Sequence, residues 1–343
     1  MKKRLSLEKP KIMSYLHHAY PLAIMSNHEN FLPWFYNNYI QLYCNKNSSD
    51  SILPVNFYRY LDWSYYPLLD HQFLSRDLIP NLNIIDYVIH VLESDYYFYA
   101  YVNELYVPGR KAYQKYDFDH ELLISGYDDI NRTFIATSFI KGEYSDFEIS
   151  FEEFEKAFAN MTCSFEFMKL IRVIKPNVSN THHFDPNAVM ESLKDYLNSC
   201  SGNDRFTNQN YFNSKKIVFG MDVYSEIQSF IPRIKSEQLK PEINPFQILW
   251  EHKVIMQERF QYLLSQLSNP AAIEQLTIIS TSYDRVVQKS DRIRLLILMY
   301  QKTKRESLLH NVLNELEQLE QLERDTITNW IDKHEKYAAE EEL

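Results

Sequence analysis

The 343-residue sequence has very little glycine, with five residues in all: Gly109, Gly126, Gly142, Gly202 and Gly220. Loops that cradle phosphate, such as the P-loop and the dinucleotide fingerprint, need clustered glycines because the backbone must approach the anion closely. The five glycines here are widely separated. The sequence therefore argues against nucleotide-driven chemistry of these types.

Positive charge is also scarce, with 36 Lys and Arg against 46 Asp and Glu and a formal net charge of −10. A surface that tracks nucleic-acid phosphates needs an excess of Lys and Arg, and so does a surface that docks on anionic membrane. We therefore predict no nucleic-acid or membrane partner. No apolar run approaches the ~20 residues of a membrane span. The start, MKKRLSLEKPKIMSYLHHAYPLAIMS, does not resemble a cleaved signal peptide.

Cysteine is limited to Cys44, Cys163 and Cys200. An odd number at wide spacing is typical of reduced thiols in a cytoplasmic protein and gives no disulfide frame. The spacing does not match a zinc finger. We expect a cytoplasmic protein without a metal or other cofactor.

Aromatic residues are abundant, with 26 Tyr and 21 Phe, and 45% of the chain is hydrophobic, as in a folded protein. The length suggests two domains. Short aromatic and β-branched runs alternate with helical patterns up to about residue 175, which predicts an α+β domain with an antiparallel sheet over 1–178. Its predicted elements are a helix that begins near Pro21, a helix over 80–95, a strand over 96–107, a hairpin with arms 120–127 and 132–139, a helix capped by Ser150 and Glu153, and a strand over 165–175.

The rest of the chain is patterned almost continuously as helix, which predicts an all-helical domain over 185–343. Asp185-Pro186, Asn244-Pro245 and Asn269-Pro270 each combine a helix cap with a first-turn proline. Leucines near heptad spacing over 305–334, including Leu319 and Leu322, favour the last helix of an antiparallel bundle over a coiled-coil arm.

Within this helical region, Glu251 and His252 are expected to face solvent or the domain junction. A locally basic segment lies between Arg285 and Arg305. It is either a docking face for an acidic partner or a solvated helix surface, and the second interpretation is preferred.

His120 stands at the start of an apolar strand in the stretch D-F-D-H-E-L-L-I-S-G-Y-D-D. A histidine in such a position is most often structural. A neighbouring carboxylate, however, stabilises the imidazolium form and orients the ring. The residues alone leave both interpretations open.

The string 101-YVNELYVPGRKAYQKYDFDHELLISGYDD-129, followed by 133-TFIATSFIKGEYSDFEISFEEFEKAF-158, resembles the N-terminal domain of the butirosin biosynthesis protein H family. The segment 249-LWEHKVIMQERFQYL-263 is similar to the helical C-terminal region of its Bacillus-type members. The resemblance implies a papain-like fold of the bacteriocin-leader-peptidase kind. It also implies a role in natural-product biosynthesis, in which an acyl group moves from a carrier-protein thioester to an amine.

The papain-like plan uses a cysteine at the start of the first helix, a histidine base at a strand start and an acid on the next strand that orients the histidine. His120 matches the base. The cysteine position falls in 17-HHAYPLAIMS-26, where His18 or Ala19 stands instead, and Cys44 lies a full helix later. Thr137 or Ser138 stands where the acid is implied. A covalent thiol mechanism is therefore not expected.

The interpretation that follows is an accessory, acyltransferase-like protein that acts on a phosphopantetheine-bound intermediate of an acyl or peptidyl carrier protein. His120 is the candidate general base, with His18 and Asp119 as further catalytic candidates. Tyr116, Tyr127 and Tyr20 are the candidate substrate-binding residues. The alternative is a catalytically degenerate papain-like module that docks a carrier protein or synthetase domain. A homodimer is left open.

A metal site made of His17, His18, His120 and Asp119 is a weaker alternative. Adjacent histidines point apart on an extended chain, so two of the four ligands would not converge. We therefore assign no metal ligands.

Overall fold

A computed structural model describes residues 1–46, 53–58, 66–79, 81–201 and 216–341; Gly202 lies outside these ranges. The chain divides into two compact units, Met1–Phe31 with Trp63–Thr181, and Leu32–Asp62 with His182–Leu343. Segment 32–62 thus groups with the C-terminal part of the chain, although the sequence pattern placed it with the N-terminal part. None of the described helices is long and apolar enough to cross a membrane.

The first unit is built on a seven-stranded antiparallel sheet in the order β4-β9-β5-β6-β7-β8, with β1 paired to β6. The strands are β1 (Lys2–Arg4), β4 (Leu69–Ser75), β5 (Tyr97–Asn103), β6 (Asp119–Asp128), β7 (Thr133–Ile140), β8 (Glu143–Ser150) and β9 (Leu170–Pro176). The predicted antiparallel sheet is confirmed.

The predicted hairpin is the β6–β7 pair, whose turn is closed by Asp128. Its Oδ1 accepts hydrogen bonds from the backbone N–H groups of Ile130 and Asn131 at 3.0 and 3.1 Å. Gly126 is required in β6 because a Cβ there would lie 2.5 Å from the carbonyl oxygen of Lys3 in β1. The glycine therefore permits the close approach of the N-terminal strand.

Helices α3 (Ile84–Glu93) and α4 (Phe151–Ala159) share an apolar core with one face of this sheet. The core is rich in aromatic rings, and Phe134 lies 4.5 Å from Phe151 between ring centroids. The capping box is confirmed, since the Ser150 side chain accepts from the Glu153 N–H and the Glu153 carboxylate accepts from the Ser150 N–H.

The first helix does not begin near Pro21, so that prediction is wrong. Helix α1 runs over Leu16–Met25 with Pro21 in its interior. A proline cannot donate to the carbonyl one turn earlier, which is that of His17. This carbonyl instead accepts a hydrogen bond from the Tyr66 hydroxyl at 3.2 Å, which compensates for the missing donor.

The second unit contains most of the helices and a small sheet. The helices are α2 (Phe31–Asn37), α5 (Pro186–Leu197), α6 (Val223–Lys235), α7 (Asn244–Leu264), α8 (Pro270–Thr303) and α9 (Glu306–Glu341). The three-stranded sheet has the order β10-β2-β3, with β2 at Gln41–Asn45, β3 at Asn56–Tyr58 and β10 at Ile217–Phe219. The C-terminal region is helical, but the expectation that it is all helical is wrong at β10. This strand has only three residues and pairs with a distant part of the chain, so no local pattern marks it.

Helices α8 and α9 form an antiparallel hairpin with heptad packing. Buried residues recur at alternating spacings of four and three along α8, at Ala272, Leu276, Ile279, Tyr283, Val286, Ser290, Ile293, Ile297 and Tyr300. In α9 the same spacing joins Leu309, Val312, Leu316, Leu319, Glu323, Thr326 and Trp330. Glu323, not Leu322, therefore occupies a core position of the heptad.

A fully buried ionic network surrounds Glu323. Lys253 Nζ in α7 lies 2.7 Å from its carboxylate, and both side chains have no exposed surface. The hydroxyls of Tyr196, Tyr224 and Tyr283 also donate to this carboxylate, at 3.1, 2.7 and 2.6 Å. One acid thus ties together α5, α6, α7 and α8 from its position in α9, and such fully bonded buried networks favour one arrangement of the helices.

The neighbours of Lys253 in α7 are also buried, so Glu251 and His252 do not face solvent, which was the first of the two places expected for them. Glu251 is 3% exposed and His252 is not exposed at all. His252 Nδ1 accepts from Lys253 Nζ at 3.1 Å, and its Nε2 donates to the carbonyl of Ile40 at 2.7 Å. The histidine fills a place in the polar network that hydrophobic periodicity does not reveal.

Arg259 of α7 holds the chain segment that follows α2. Its guanidinium is completely buried and donates to the carbonyls of Tyr36, Asn38 and Tyr39 at 2.8, 2.9 and 3.0 Å. Carbonyls at the end of a helix lack partners within the helix, and a cation satisfies them well. This contact explains physically why the segment after residue 31 groups with the helical unit.

Candidate functional site

The candidate site lies where β5 and β6 meet a short 3-10 turn, Glu104–Tyr106, and the loop that follows it. In that loop Gly109 has φ +78°, a left-handed conformation that favours glycine. The next residue, Arg110, extends into the protein and donates from Nε to Glu104 Oε1 at 2.7 Å, with a second, shorter bond from NH2 to the same oxygen. The Pro-Gly-Arg segment therefore delivers a buried guanidinium to this end of the sheet.

Arg110 also fixes the state of His120. Its NH2 group lies 3.1 Å from His120 Nδ1. Because a guanidinium can only donate hydrogen bonds, Nδ1 must accept, and the proton of the neutral ring then resides on Nε2. The backbone carbonyl of Glu121 also bonds to the ring, and 31% of the His120 side chain is exposed. The neutral ring is therefore a hydrogen-bond donor through Nε2.

The pKa of His120 is lowered to about 4, first by burial of the ring and then by the positive charge of Arg110, while the Glu121 backbone carbonyl acts in the opposite direction. The ring is thus neutral at physiological pH. Since the folded pKa lies below the ordinary value of 6.5, the unfolded chain binds more protons between these two values. The contribution of His120 to stability is present above that window and is lost as the pH falls through it.

Glu121, the residue after His120 in β6, is also part of the site and is buried. Its Oε1 accepts from the Tyr99 hydroxyl at 2.9 Å, Tyr101 bonds to it as well, and its Oε2 lies 3.9 Å from His120 Nδ1. Burial raises the pKa of Glu121, while the tyrosine donors and the positive charge of Arg172 lower it. Burial likewise raises the pKa of Glu104. Perturbed groups of this kind cluster at functional sites.

Tyr20 of α1 lies at the end of the β6–β7 ladder, whose residue pairing stops at Leu123 and Thr137. Its hydroxyl donates to the Thr137 carbonyl at 2.8 Å and lies 3.4 Å from Ser138 Oγ. Ser138 also accepts from Arg110. Ser138, one of the two residues at the position implied for the orienting acid, is thus bonded to Arg110 and Tyr20.

The other two candidate catalytic residues, His18 and Asp119, have partners besides His120. Asp119 Oδ2 accepts from the backbone N–H groups of Thr162 and Cys163 and from the Thr162 hydroxyl. His18 is buried in α1 at 2% exposure, and its ring centroid lies 4.3 Å from that of His17. Asp119 therefore anchors a loop rather than the imidazole.

The three candidate substrate-binding tyrosines differ in exposure. Tyr20 is completely buried. Tyr127 is 2% exposed and donates to Glu93 Oε1 at 3.1 Å near the other end of β6. Tyr116 is 48% exposed. The structure thus brings Tyr20 to the His120 cluster from inside the protein, and only Tyr116 of the three presents its ring to solvent.

Cysteine chemistry has no support at Cys44. This residue lies on β2 in the second unit, is completely buried and has its pKa raised to about 12, first by burial and then by Glu226. A thiol in this state is a poor nucleophile.

A metal centre is likewise not indicated, since the described residues contain no group of three or more His, Cys, Asp or Glu side chains arranged to hold a metal ion. A small cavity in the second unit, lined in part by Gln41, Tyr58 and Ser192, has a volume of about 10 Å³. It has room for no more than about one water molecule.

Arg110, Glu104 and Glu121 are the functional-site residues that sequence reasoning missed. Glu121 is adjacent to His120, and Arg110 belongs to the Pro-Gly-Arg segment, which was noted as a family likeness without a chemical role. The glycine before Arg110 predicts a turn of the backbone. Which groups the arginine then contacts depends on the fold and is not visible in the sequence. No known protein family matches the chain, and a search of curated proteins finds no match either.

Proposed function

We propose that the sheet unit is a non-catalytic binding module whose His120 presents an N–H donor to a carrier-linked acyl intermediate. The observation that carries this proposal is the bond from Arg110 to His120 Nδ1. A general base needs an unprotonated nitrogen directed at the substrate. With Nδ1 occupied and the proton on Nε2, the ring is arranged to donate a hydrogen bond.

The nature of the partner rests on the family resemblance and the papain-like fold that it implies. A module built on that plan but without its cysteine would bind the acyl group of a carrier arm without attacking it. Supporting features are the partial exposure of His120 and the buried Glu121 beside it, whose carboxylate accepts hydrogen bonds from Tyr99 and Tyr101. The protein would then act as an accessory factor of nonribosomal-peptide or polyketide-type biosynthesis in the cytoplasm.

The basic segment of α8 is not assigned as the docking face. Lys289 and Arg292 both pair with Glu315, at 2.6 and 3.0 Å, and Arg294 pairs with Asp291 at 2.6 Å. Cations that are neutralised within the chain contribute little to the attraction of an acidic carrier protein.

The second candidate function is direct acyl transfer, in which His120 removes a proton from an amine that attacks the thioester. The observation in its favour is the lowered pKa of His120, which keeps the ring unprotonated at physiological pH. A base with a pKa of about 4 is, however, a weak proton acceptor for an amine, so we rank this function second.

The two functions are separated by incubating the protein with a carrier protein that bears a butyryl group on its phosphopantetheine arm, with ethanolamine as the amine. The binding module predicts a complex in which wild type binds the butyryl carrier roughly tenfold more tightly than His120→Phe, which retains an aromatic ring but lacks the donor. It predicts no amide product. Amide formed by wild type and lost in His120→Phe would establish the transferase. Equal binding by both proteins, without product, would remove His120 from either role.

The role of Arg110 is tested by the substitution Arg110→Met. Loss of the positive charge and of the donor on Nδ1 is expected to raise the pKa of His120 above its value of about 4. The measurement is an NMR titration of the His120 ring, with Arg132→Met, an exposed arginine of the same unit, as the control that leaves the pKa unchanged. An unaltered pKa in Arg110→Met would mean that burial alone sets it.

A further inference from the structure

The edge of the seven-stranded sheet at β8 is open. In the strand order of the described sheet β8 is the last strand and has β7 as its hydrogen-bonded neighbour. The bond from the Phe151 N–H to the Arg132 carbonyl, at 3.0 Å, sets the alternation of this ladder. Counted from that pair, the backbone N–H and C=O groups of Tyr144, Asp146 and Glu148 point away from β7. Within the described ranges no other backbone group bonds to them.

The turn that leads into β8 agrees with this alternation. Lys141 and Gly142, with φ values of 52° and 89°, form the two-residue connection between β7 and β8. Positive φ at both positions is the type I′ geometry, which is closed by a hydrogen-bonded pair of flanking residues. These residues are Ile140 and Glu143. Bonded pairs then recur at every second residue, which again leaves the even-numbered residues of β8 facing outward.

The charged side chains of β8 are all negative. Its sequence, EYSDFEIS, has three carboxylates, those of Glu143, Asp146 and Glu148, and no Lys or Arg. All three residues are exposed. Asp146 is paired with Arg4 at 2.6 Å. Glu143 and Glu148 form no ion pair within the described part of the chain. A strand added at this edge is therefore attracted if it carries Lys or Arg.

The two faces of the sheet differ at this edge. Phe147 and Ile149 pack against the apolar core that includes α3 and α4, and Phe147 is only partly buried. Asp146 and Glu148 alternate with them and lie on the opposite face. Side chains directly opposite each other on neighbouring strands share a face. The strand that fits thus has basic residues opposite the carboxylates and apolar residues beside Phe147, in alternation.

A second copy of β8 fits this edge poorly. In a two-fold antiparallel pair the outward-facing residues lie opposite one another, and the register with the longest overlap places Asp146 opposite its own counterpart. Like charges directly opposite each other destabilise a sheet. Carboxylates on an open edge thus disfavour pairing between identical chains and favour a basic strand instead.

We propose that β8 is a docking edge for an extended segment of a partner protein in which basic and apolar residues alternate. The segment adds to the sheet as a further strand, and its backbone bonds to Tyr144, Asp146 and Glu148. Its Lys or Arg side chains lie beside the carboxylates of Asp146 and Glu148. This inference goes beyond the function proposed for His120 and does not depend on it.

The test uses two synthetic peptides as probes, each of the length of β8. One alternates lysine with valine and the other alternates glutamate with valine, and binding to the full chain is measured by fluorescence anisotropy of a label on the peptide. We expect the lysine peptide to bind about tenfold more tightly, since opposite-charge cross-strand pairs are favourable and like-charge pairs are not. The preference should decrease with added salt because the charges are exposed.

Two substitutions of Glu148 separate the effect of charge from that of the backbone. Glu148→Lys should weaken binding of the lysine peptide about tenfold. Glu148→Pro removes an outward N–H but no bond to β7, so it should weaken binding several-fold while the sheet stays folded. The matched control is Glu155→Lys, which makes the same change of charge at an exposed position of α4 and should leave binding unchanged. Circular dichroism checks that all three variants are folded.

Hydrogen exchange locates the bound peptide, because the amides of Tyr144, Asp146 and Glu148 should exchange more slowly in its presence. Equal binding of the two peptides, or no binding of the lysine peptide, would overturn the inference. Binding that Glu148→Pro leaves unchanged would place the peptide elsewhere and would also overturn it. A dimer of the chain seen by sedimentation and abolished by Glu148→Pro would make a second copy the occupant of this edge, against the proposal.

Discussion

Replacing Lys253 by methionine is expected to destabilise the helical unit by about 3–5 kcal/mol, because the carboxylate of Glu323 is then left buried without a cation. The two side chains lie 2.7 Å apart and neither has any exposed surface. His252 Nδ1 and the Tyr196 hydroxyl also lose the donors that Lys253 provides. The free energy of unfolding, measured by urea denaturation, tests this value.

The double variant Lys253→Met with Glu323→Leu should be more stable than Lys253→Met alone, because it removes the uncompensated charge together with the cation. It should remain below wild type, since the hydroxyls of Tyr224 and Tyr283 then lose their acceptor. A double variant no more stable than Lys253→Met would show that the charge of Glu323 is not the source of the loss.

The matched control is Lys289→Met, which breaks the pair with Glu315 on the outside of the α8–α9 hairpin. Lys289 is 25% exposed, so water screens this pair. A partly solvated ion pair contributes about 1 kcal/mol or less. A control that costs as much as Lys253→Met would contradict our account, in which burial makes the difference.

Replacing Arg259 by leucine is expected to cost about 3 kcal/mol or more, because buried carbonyls that lose their donor each cost about 1–3 kcal/mol. Three carbonyls at the end of α2 and just after it depend on this guanidinium, those of Tyr36, Asn38 and Tyr39. Arg259 is itself completely buried, so the leucine also removes the free-energy cost of burying a charge. The net loss of stability is the cost of the unpaired carbonyls minus this gain.

Hydrogen exchange gives a local measurement of the same change. In Arg259→Leu the amides of β2 should lose protection before those of the seven-stranded sheet, because the segment that leads into β2 is no longer held. Arg285→Leu, at an exposed position of α8, is the control and should change stability by no more than about 0.5 kcal/mol. Protection lost equally in both units would argue against a local role for Arg259.

Local features of the fold were predictable where a short signal is sufficient. The Ser150 capping box, the caps at Asp185 and Asn269 and the Asp128 turn each depend on residues only a few positions apart, and all are present. The β6–β7 hairpin follows from two apolar runs around such a turn.

Features that depend on distant partners were not predictable. In the sequence, Glu323 does not differ from the other glutamates of its Glu-rich helix. Its burial becomes understandable only from the tyrosines of three other helices that donate to its carboxylate. His120 was found because it stands next to acids, whereas its actual partner, Arg110, enters from a loop. Pro21 marks a helix start by propensity, and the Tyr66 hydroxyl overrides that rule.

The path of the chain through its two units has a consequence for biosynthesis on the ribosome. Residues 32–62 leave the ribosome early, yet β2 pairs with β10, as in the pair Asn45 and Ile217, and the segment before β2 is held by Arg259. Within the segment β2 can pair with β3, but its other edge stays open until β10 has been made, after the rest of the first unit. Its exposed strand residues are a target for chaperones during this interval. A single cut after residue 181 would also separate the segment from β10 and Arg259, so an isolated sheet unit requires that residue 31 be joined to residue 63 by a linker.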